Sequence, residues 1–108
     1  MIALAVVVAA AADPRVPVRT FLLRPTPAKA CAQLSPRYRK QLDRQYGPCT
    51  TAITANPRVT RIRMANVRAS GRRATLDVHY LAGGRTFAER FTLVLLAGAW
   101  RIDNSGPL

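Results

Sequence analysis

The chain has 108 residues, with seventeen Lys or Arg against five Asp or Glu, for a formal net charge of +12. That length holds one domain with a single core and little surplus, and 49% apolar content is too high for a largely disordered chain. The charge makes the domain repel itself and draws it to anionic surfaces such as phospholipid headgroups, acidic glycopolymers or nucleic acid. Fifteen of the seventeen basic residues are Arg, an excess that a GC-rich coding sequence explains as well as selection for guanidinium chemistry does.

Ile2 to Ala12 is an uninterrupted apolar run ending in small residues before Asp13-Pro14. It is too short to span a bilayer, which takes ~20 residues, but it suits the apolar stretch of a signal peptide, with Ala10-Ala11-Ala12 as the cleavage pattern. No Lys or Arg precedes it. A signal peptide, the tail of a longer upstream signal or anchor, and a first helix of the fold therefore compete. The expectation adopted is export, with residues 1–12 as signal peptide or residual anchor and 13–108 as one domain.

Arg15 to Arg24 reads as a short amphipathic helix stopped by Arg24-Pro25-Thr26-Pro27. Ala28 to Leu34 gives a brief helical turn carrying Cys31. Ser35-Pro36 then supplies an N-cap and a first-turn proline for a helix through Tyr38, Leu42 and Gln45, with Arg37, Arg39, Lys40 and Arg44 around its outer faces. Gly47-Pro48 ends it, and Cys49 to Asn56 forms another short helix or turn. Cys31 and Cys49 form an even pair in a small, expectedly exported domain and suggest a disulfide, the competing reading being two free thiols in a cytosolic protein.

From Val59 to Asn104 the pattern becomes a β-meander. Ala69-Ser70-Gly71, Ala82-Gly83-Gly84 and Ala97-Gly98 each place Gly where a hairpin needs positive φ. Alternation puts Thr60, Ile62 and Met64 on one face, with Leu76, Val78 and Tyr80, then Phe87, Phe91, Leu93 and Leu95, then Trp100 and Ile102. Arg61, Arg63, Asp77, His79, Arg90, Arg101 and Asp103 take the other. The expected fold class is α+β: short N-terminal helices packed on a curved, twisted antiparallel sheet, cone-like, with one wet face.

Short leading helices, Ala30-Cys31-Ala32-Gln33-Leu34-Ser35-Pro36, a second Cys and a meander closing on Trp100-Arg101-Ile102 together resemble the nuclear transport factor 2-like superfamily. The likeness spans about Val16 to Asn104 and is nearest to small exported or membrane-anchored actinobacterial versions. It implies a cone-shaped α+β domain, enzymatic in some members through Asp, Glu, His or Tyr inside the cone, and often dimeric through the sheet. The first helix departs from the pattern in being short. Four outward arginines, Arg61, Arg63, Arg90 and Arg101, oppose dimerisation through the sheet face.

The chemistry-bearing candidates are few. Asp77 and His79 project from one face of one strand, close enough for a carboxylate to orient an imidazole, but that face is the solvent side, where cross-strand pairing is the ordinary use. Glu89 is in register with Phe87 and Phe91, so a regular strand points it inward, where a lone carboxylate is costly. A place at the open rim, or a β-bulge that turns it out, is the plainer account. Tyr38, Tyr46, Glu89 and Trp100 are the expected lining of any pocket, although the two tyrosines fit core edges with wet hydroxyls equally well. One His and two Cys without an acidic cluster make no metal site, and no phosphate loop or nucleophile elbow is present, so no cofactor is expected. With the aromatics inward and no DNA-binding motif, nucleic acid is a poor fit, and a merely solvated basic face is the plainest account of the arginines. The leading expectation is a non-enzymatic exported accessory domain binding a small ligand or protein. The alternatives are an isomerase-, dehydratase- or cyclase-like enzyme with a pocket carboxylate, and a binder of anionic membrane or cell-wall polymer.

Overall fold

The computed structural model describes residues 12–108, so the apolar run expected to be a signal or anchor lies outside the described residues except for Ala12. Four helices precede four strands: α1 Arg15–Leu23, α2 Pro27–Cys31, α3 Pro36–Tyr46, α4 Cys49–Ala52, β1 Val59–Ser70, β2 Arg73–Ala82, β3 Arg85–Leu96 and β4 Ala99–Pro107. A 3-10 turn, Ile53–Ala55, continues α4. The sheet is an antiparallel meander in the order β1-β2-β3-β4. The α+β class is as the sequence implies, and the sheet is open.

Local chemistry sets the helix boundaries. The Ser35 hydroxyl accepts from the Tyr38 amide at 3.1 Å and Pro36 occupies the first turn, which together start α3. Thr26 and Pro27 repeat that arrangement for α2, with the Lys29 amide donating to the Thr26 hydroxyl. Arg24 ends α1 in the left-handed region at φ 49°. A disulfide joins Cys31, at the end of α2, to Cys49, at the start of α4.

The helices cover one face of the sheet. Val18 and Leu22 of α1, Leu34, Tyr38 and Ile53 pack on Leu76 and Val78 of β2, Phe91 and Leu93 of β3, and Trp100 and Ile102 of β4. Leu34 is bridged to Ile102, with the Ser35 amide donating to the Ile102 carbonyl at 2.8 Å and the Ile102 amide to the Gln33 carbonyl at 2.7 Å. This clamp sets the helical layer on β4.

Two bulges alter the expected facing. A register shift between Val59 and Arg61 buries Val59 and leaves Thr60 exposed, so Thr60 is not among the inward residues. A second shift, beside Thr92 and Leu93, inserts Asp103 at the edge of β4. Asp103 therefore faces the start of α3 rather than open solvent: it accepts from the Ser35 hydroxyl at 2.6 Å and pairs with Arg37 at 3.1 Å. Burial works against ionisation of Asp103, but the Ser35 and Arg37 hydrogen bonds and the Arg37 charge outweigh it and hold the carboxyl below its ordinary value.

Candidate functional site

The inner sheet face is not covered along its whole length. At the end near the β2–β3 turn, the helices and sheet leave an open cleft of about 720 Å³. Phe21, Leu22, Leu42, Ile53, Val59 and Phe87 form much of its apolar wall, and Arg24, Gln41, Gln45, Tyr38, Tyr80 and Glu89 bring polar groups.

Glu89 lies on the inner face because β2 and β3 pair without a register shift from Arg73↔Val94 to Ala82↔Arg85. Opposite Glu89 on the β4 side is Pro107, the last residue of that strand, which puts the carboxylate at the rim rather than deep in the core. The Tyr80 hydroxyl donates to Glu89 Oε1 at 2.8 Å. Burial, together with the carboxylate accepting its proton and adding negative charge, pushes the Tyr80 phenol well above its ordinary value, so it remains a donor. Tyr80 also stacks on Phe87, centroids 5.2 Å apart. Arg85 stands 5.9 Å over the Phe87 ring.

Arg24 is the cleft's cation, and its charge is directed at backbone. Its guanidinium donates to the carbonyls of Ile53 (2.5 Å), Asn56 (3.1 Å) and Pro57. These acceptors close the turn between α4 and β1 and tie it to the end of α1. Nothing in the local sequence marks Arg24 for this role, since its partners lie about thirty residues away.

The other expected site residues divide between the two faces and the core. Tyr46 is 71% exposed and Tyr38 is buried at 6%, its hydroxyl 2.9 Å from the Ser105 hydroxyl; both border the cleft. Trp100 does not. It is buried opposite Leu95 at the other end of the strands, with its indole N–H unpartnered, because the Trp-Arg-Ile strand begins at the β3–β4 turn, away from the cleft. Asp77 and His79 lie on the outer face, as alternation requires. Asp77 does not orient His79. It accepts from Arg90 at 2.8 Å and from the Asn66 amide at 2.8 Å. The Arg90 hydrogen bond, then that of Asn66, holds the Asp77 carboxyl below its ordinary value. Asn66 reaches it from a bulge in β1, at φ 54°. Arg61, Arg63 and Arg101 share the outer face, opposite Leu81, His79 and Val94. Among the described residues no group of three His, Cys, Asp or Glu could hold a metal ion, and no helix is long and apolar enough to cross a membrane.

Comparison with known proteins narrows the fold and not the function. No family model matches the chain, and no curated protein does. The fold is similar to the solution structure of a SEC-C motif-containing protein from Rhodopseudomonas palustris, with a TM-score of 0.63 and 16% identity over 84% of this chain and 72% of that one. At that identity the likeness shows the fold alone. It corrects the resemblance to the nuclear transport factor 2-like superfamily and its exported actinobacterial type, which none of these comparisons supports. The element pattern behind that resemblance, short helices before a four-stranded meander, is a property of the fold and carries no family signature.

Proposed function

We propose that the domain is a binding module whose cleft takes a small, largely apolar ligand with one hydrogen-bond-donating group, anchored by Glu89. One observation carries this reading: Glu89 is the one carboxylate among the lining residues, and it stands in an otherwise mostly apolar cleft with Tyr80 orienting it. Small-molecule sites share this design, with volumes of roughly 300–1,000 Å³ and a few convergent polar groups. Tyr80 occupies Oε1 of the carboxylate, which leaves Oε2 to accept from a ligand. In this reading the helices and curved sheet form a cone whose mouth is the cleft. The disulfide fits an oxidising, exported setting.

A second reading assigns Glu89 acid–base chemistry of the isomerase, dehydratase or cyclase kind, favoured by the same apolar surroundings. Binding ranks above it because the lining supplies no His or second carboxylate to share a proton relay.

The test uses a neutral fluorescent amine, N-phenyl-1-naphthylamine, which brightens in apolar sites. The oxidised protein should enhance its emission, and Ala52→Phe, which places a ring in the cleft from α4, should abolish the enhancement while leaving the melting temperature close to that of the parent. Glu89→Gln should weaken the amine roughly tenfold, the scale of one charge-assisted hydrogen bond. Enhancement unchanged by Ala52→Phe would remove the cleft from consideration. Turnover of an enolisable ketone lost in Glu89→Gln would favour the enzymatic reading.

A further inference from the structure

The sheet face turned away from the helices carries most of the strand-borne charge. Register places Arg61, Arg63, Arg68, Arg73, Arg90 and Arg101 on it, across all four strands. Asp77, the acid of this face, is taken by Arg90 at 2.8 Å. Among the described residues the other five arginines have no ion-pair partner. Between them the floor is made of short side chains, including Ala65, Thr75, Ala88, Thr92 and Val94, so the guanidinium groups can stand clear of it.

The distribution of this charge selects the partner. From the Arg61 row to the Arg73 row the arginines extend roughly 26 Å along the strands and about 14 Å across them, from a rise of ~3.3 Å per residue and a strand spacing of ~4.8 Å. They form a field in two dimensions rather than a single track, and the hollow on this face, bordered by Arg61, Arg63 and His79, is confined to one end of it. A single-stranded nucleic acid would be held by aromatic platforms, and register assigns no Phe, Tyr or Trp to this face and only one imidazole, His79. Duplex DNA would be met by a helix or a protruding ribbon. A planar array of phosphates matches the field directly.

We propose that this sheet face docks on the surface of an anionic lipid bilayer, with Arg61, Arg63, Arg68, Arg73 and Arg101 reaching headgroup phosphates. This is a second surface, independent of the cleft and of any ligand there. Each arginine near such a surface changes affinity roughly fivefold, and the attraction fades within a Debye length as salt is added.

The experiment is co-sedimentation of the full chain with vesicles of pure phosphatidylcholine or with about 30% phosphatidylglycerol, near the composition at which polybasic surfaces respond. Ile2–Ala12 can enter either bilayer, so the readout is the difference between them. Binding to the anionic vesicles should exceed the neutral ones on the order of a thousandfold at low salt and collapse by about 0.3 M salt. Two variants of equal net charge separate the face from the total charge. Arg61, Arg63, Arg73 and Arg101→Ser should lose the anionic preference, and Arg19, Arg39, Lys40 and Arg44→Ser, all on the helices, should retain it within a few-fold. Asp77→Asn, which frees Arg90, should raise affinity severalfold, and it keeps the test open if the fourfold sheet variant does not fold. Equal loss in both fourfold variants would overturn the assignment, as would tight binding to heparin with no preference between the vesicles.

Discussion

At the end of the sheet nearest Ala97–Gly98, the inner face is filled: Leu93, Ile102 and Leu76 are wholly buried, and Trp100 nearly so. At the end nearest Gly83–Gly84, the same face holds Phe87 at 36% exposure, a half-buried Tyr80 and the Glu89 carboxylate, with a cleft above them. The strands pass through both ends without a break, so the difference lies in what the helices place over them. The Leu34–Ile102 bridge sets the helical layer down on β4 next to Leu93. Toward the other end, α4 and the turn after it are fixed in place by the disulfide and by the three carbonyls that Arg24 gathers. Packing is concentrated at the filled end, and the cleft proposed to bind a ligand lies at the open one, a common division because a preformed cleft forgoes packing.

Truncation is the direct way to break this comparison. Leu93→Ala should cost about 2–5 kcal/mol by denaturant unfolding, the range for a fully buried leucine. Phe87→Ala, a larger deletion, should cost only about 1 kcal/mol, because the ring is partly solvated and loses chiefly its stack on Tyr80. Equal losses would mean that the cleft end is packed as tightly as the core. Next in size is the disulfide. Cys31→Ser with Cys49→Ser should cost about 3 kcal/mol, from the closed loop of 18 residues it releases.

The acid limb of stability sharpens the same contrast, because the group that pins the filled end is a titrating one. The Asp103 carboxyl is held below its unfolded value, so its contribution is present above about pH 4 and is lost as pH falls through the lower, folded value. Asp103→Asn should flatten the fall in unfolding free energy over that acid range. At the open end the sign reverses. Tyr80 is raised, so its contribution is present below about pH 10 and is lost as pH climbs through the higher, folded value. Tyr80→Phe should remove the last phenol step in an alkaline absorbance titration, and Glu89→Gln should move that step to lower pH.

How much of this was legible in the sequence depends on the range of the interaction. Ser35-Pro36, Gly47-Pro48 and the three glycine turns are local signals, and each marks an observed boundary. The Glu89–Tyr80 contact was within reach as well. A two-residue Gly83–Gly84 loop sets Tyr80 opposite Phe87 and so Glu89 diagonal to Tyr80. Thr60 and Asp103 are misplaced by simple alternation because each sits at a bulge, where one inserted residue breaks the alternation without leaving a compositional trace. Arg24 was hidden for another reason. Its acceptors are backbone carbonyls, which look the same in every sequence.

The smallest effect expected distinguishes the turns at the two ends. Gly83 and Gly84 both have positive φ, 59° and 74°, as a two-residue hairpin loop of the favoured type requires. The β3–β4 loop has the same signature at 49° and 80°, but its first residue is Ala97. A Cβ in the left-handed region costs about 1–2 kcal/mol, part of which glycine returns as chain entropy in the unfolded state. Ala97→Gly should therefore stabilise the protein by about 0.5–1 kcal/mol, a rise in the denaturation midpoint with unchanged slope. The mirror change, Gly83→Ala, should destabilise by more, since the added Cβ also meets the Pro57 ring at 3.1 Å. If both substitutions were neutral, the two loops would not share this geometry, and the matched hairpin register at the two ends of β3 would have to come from the strands alone.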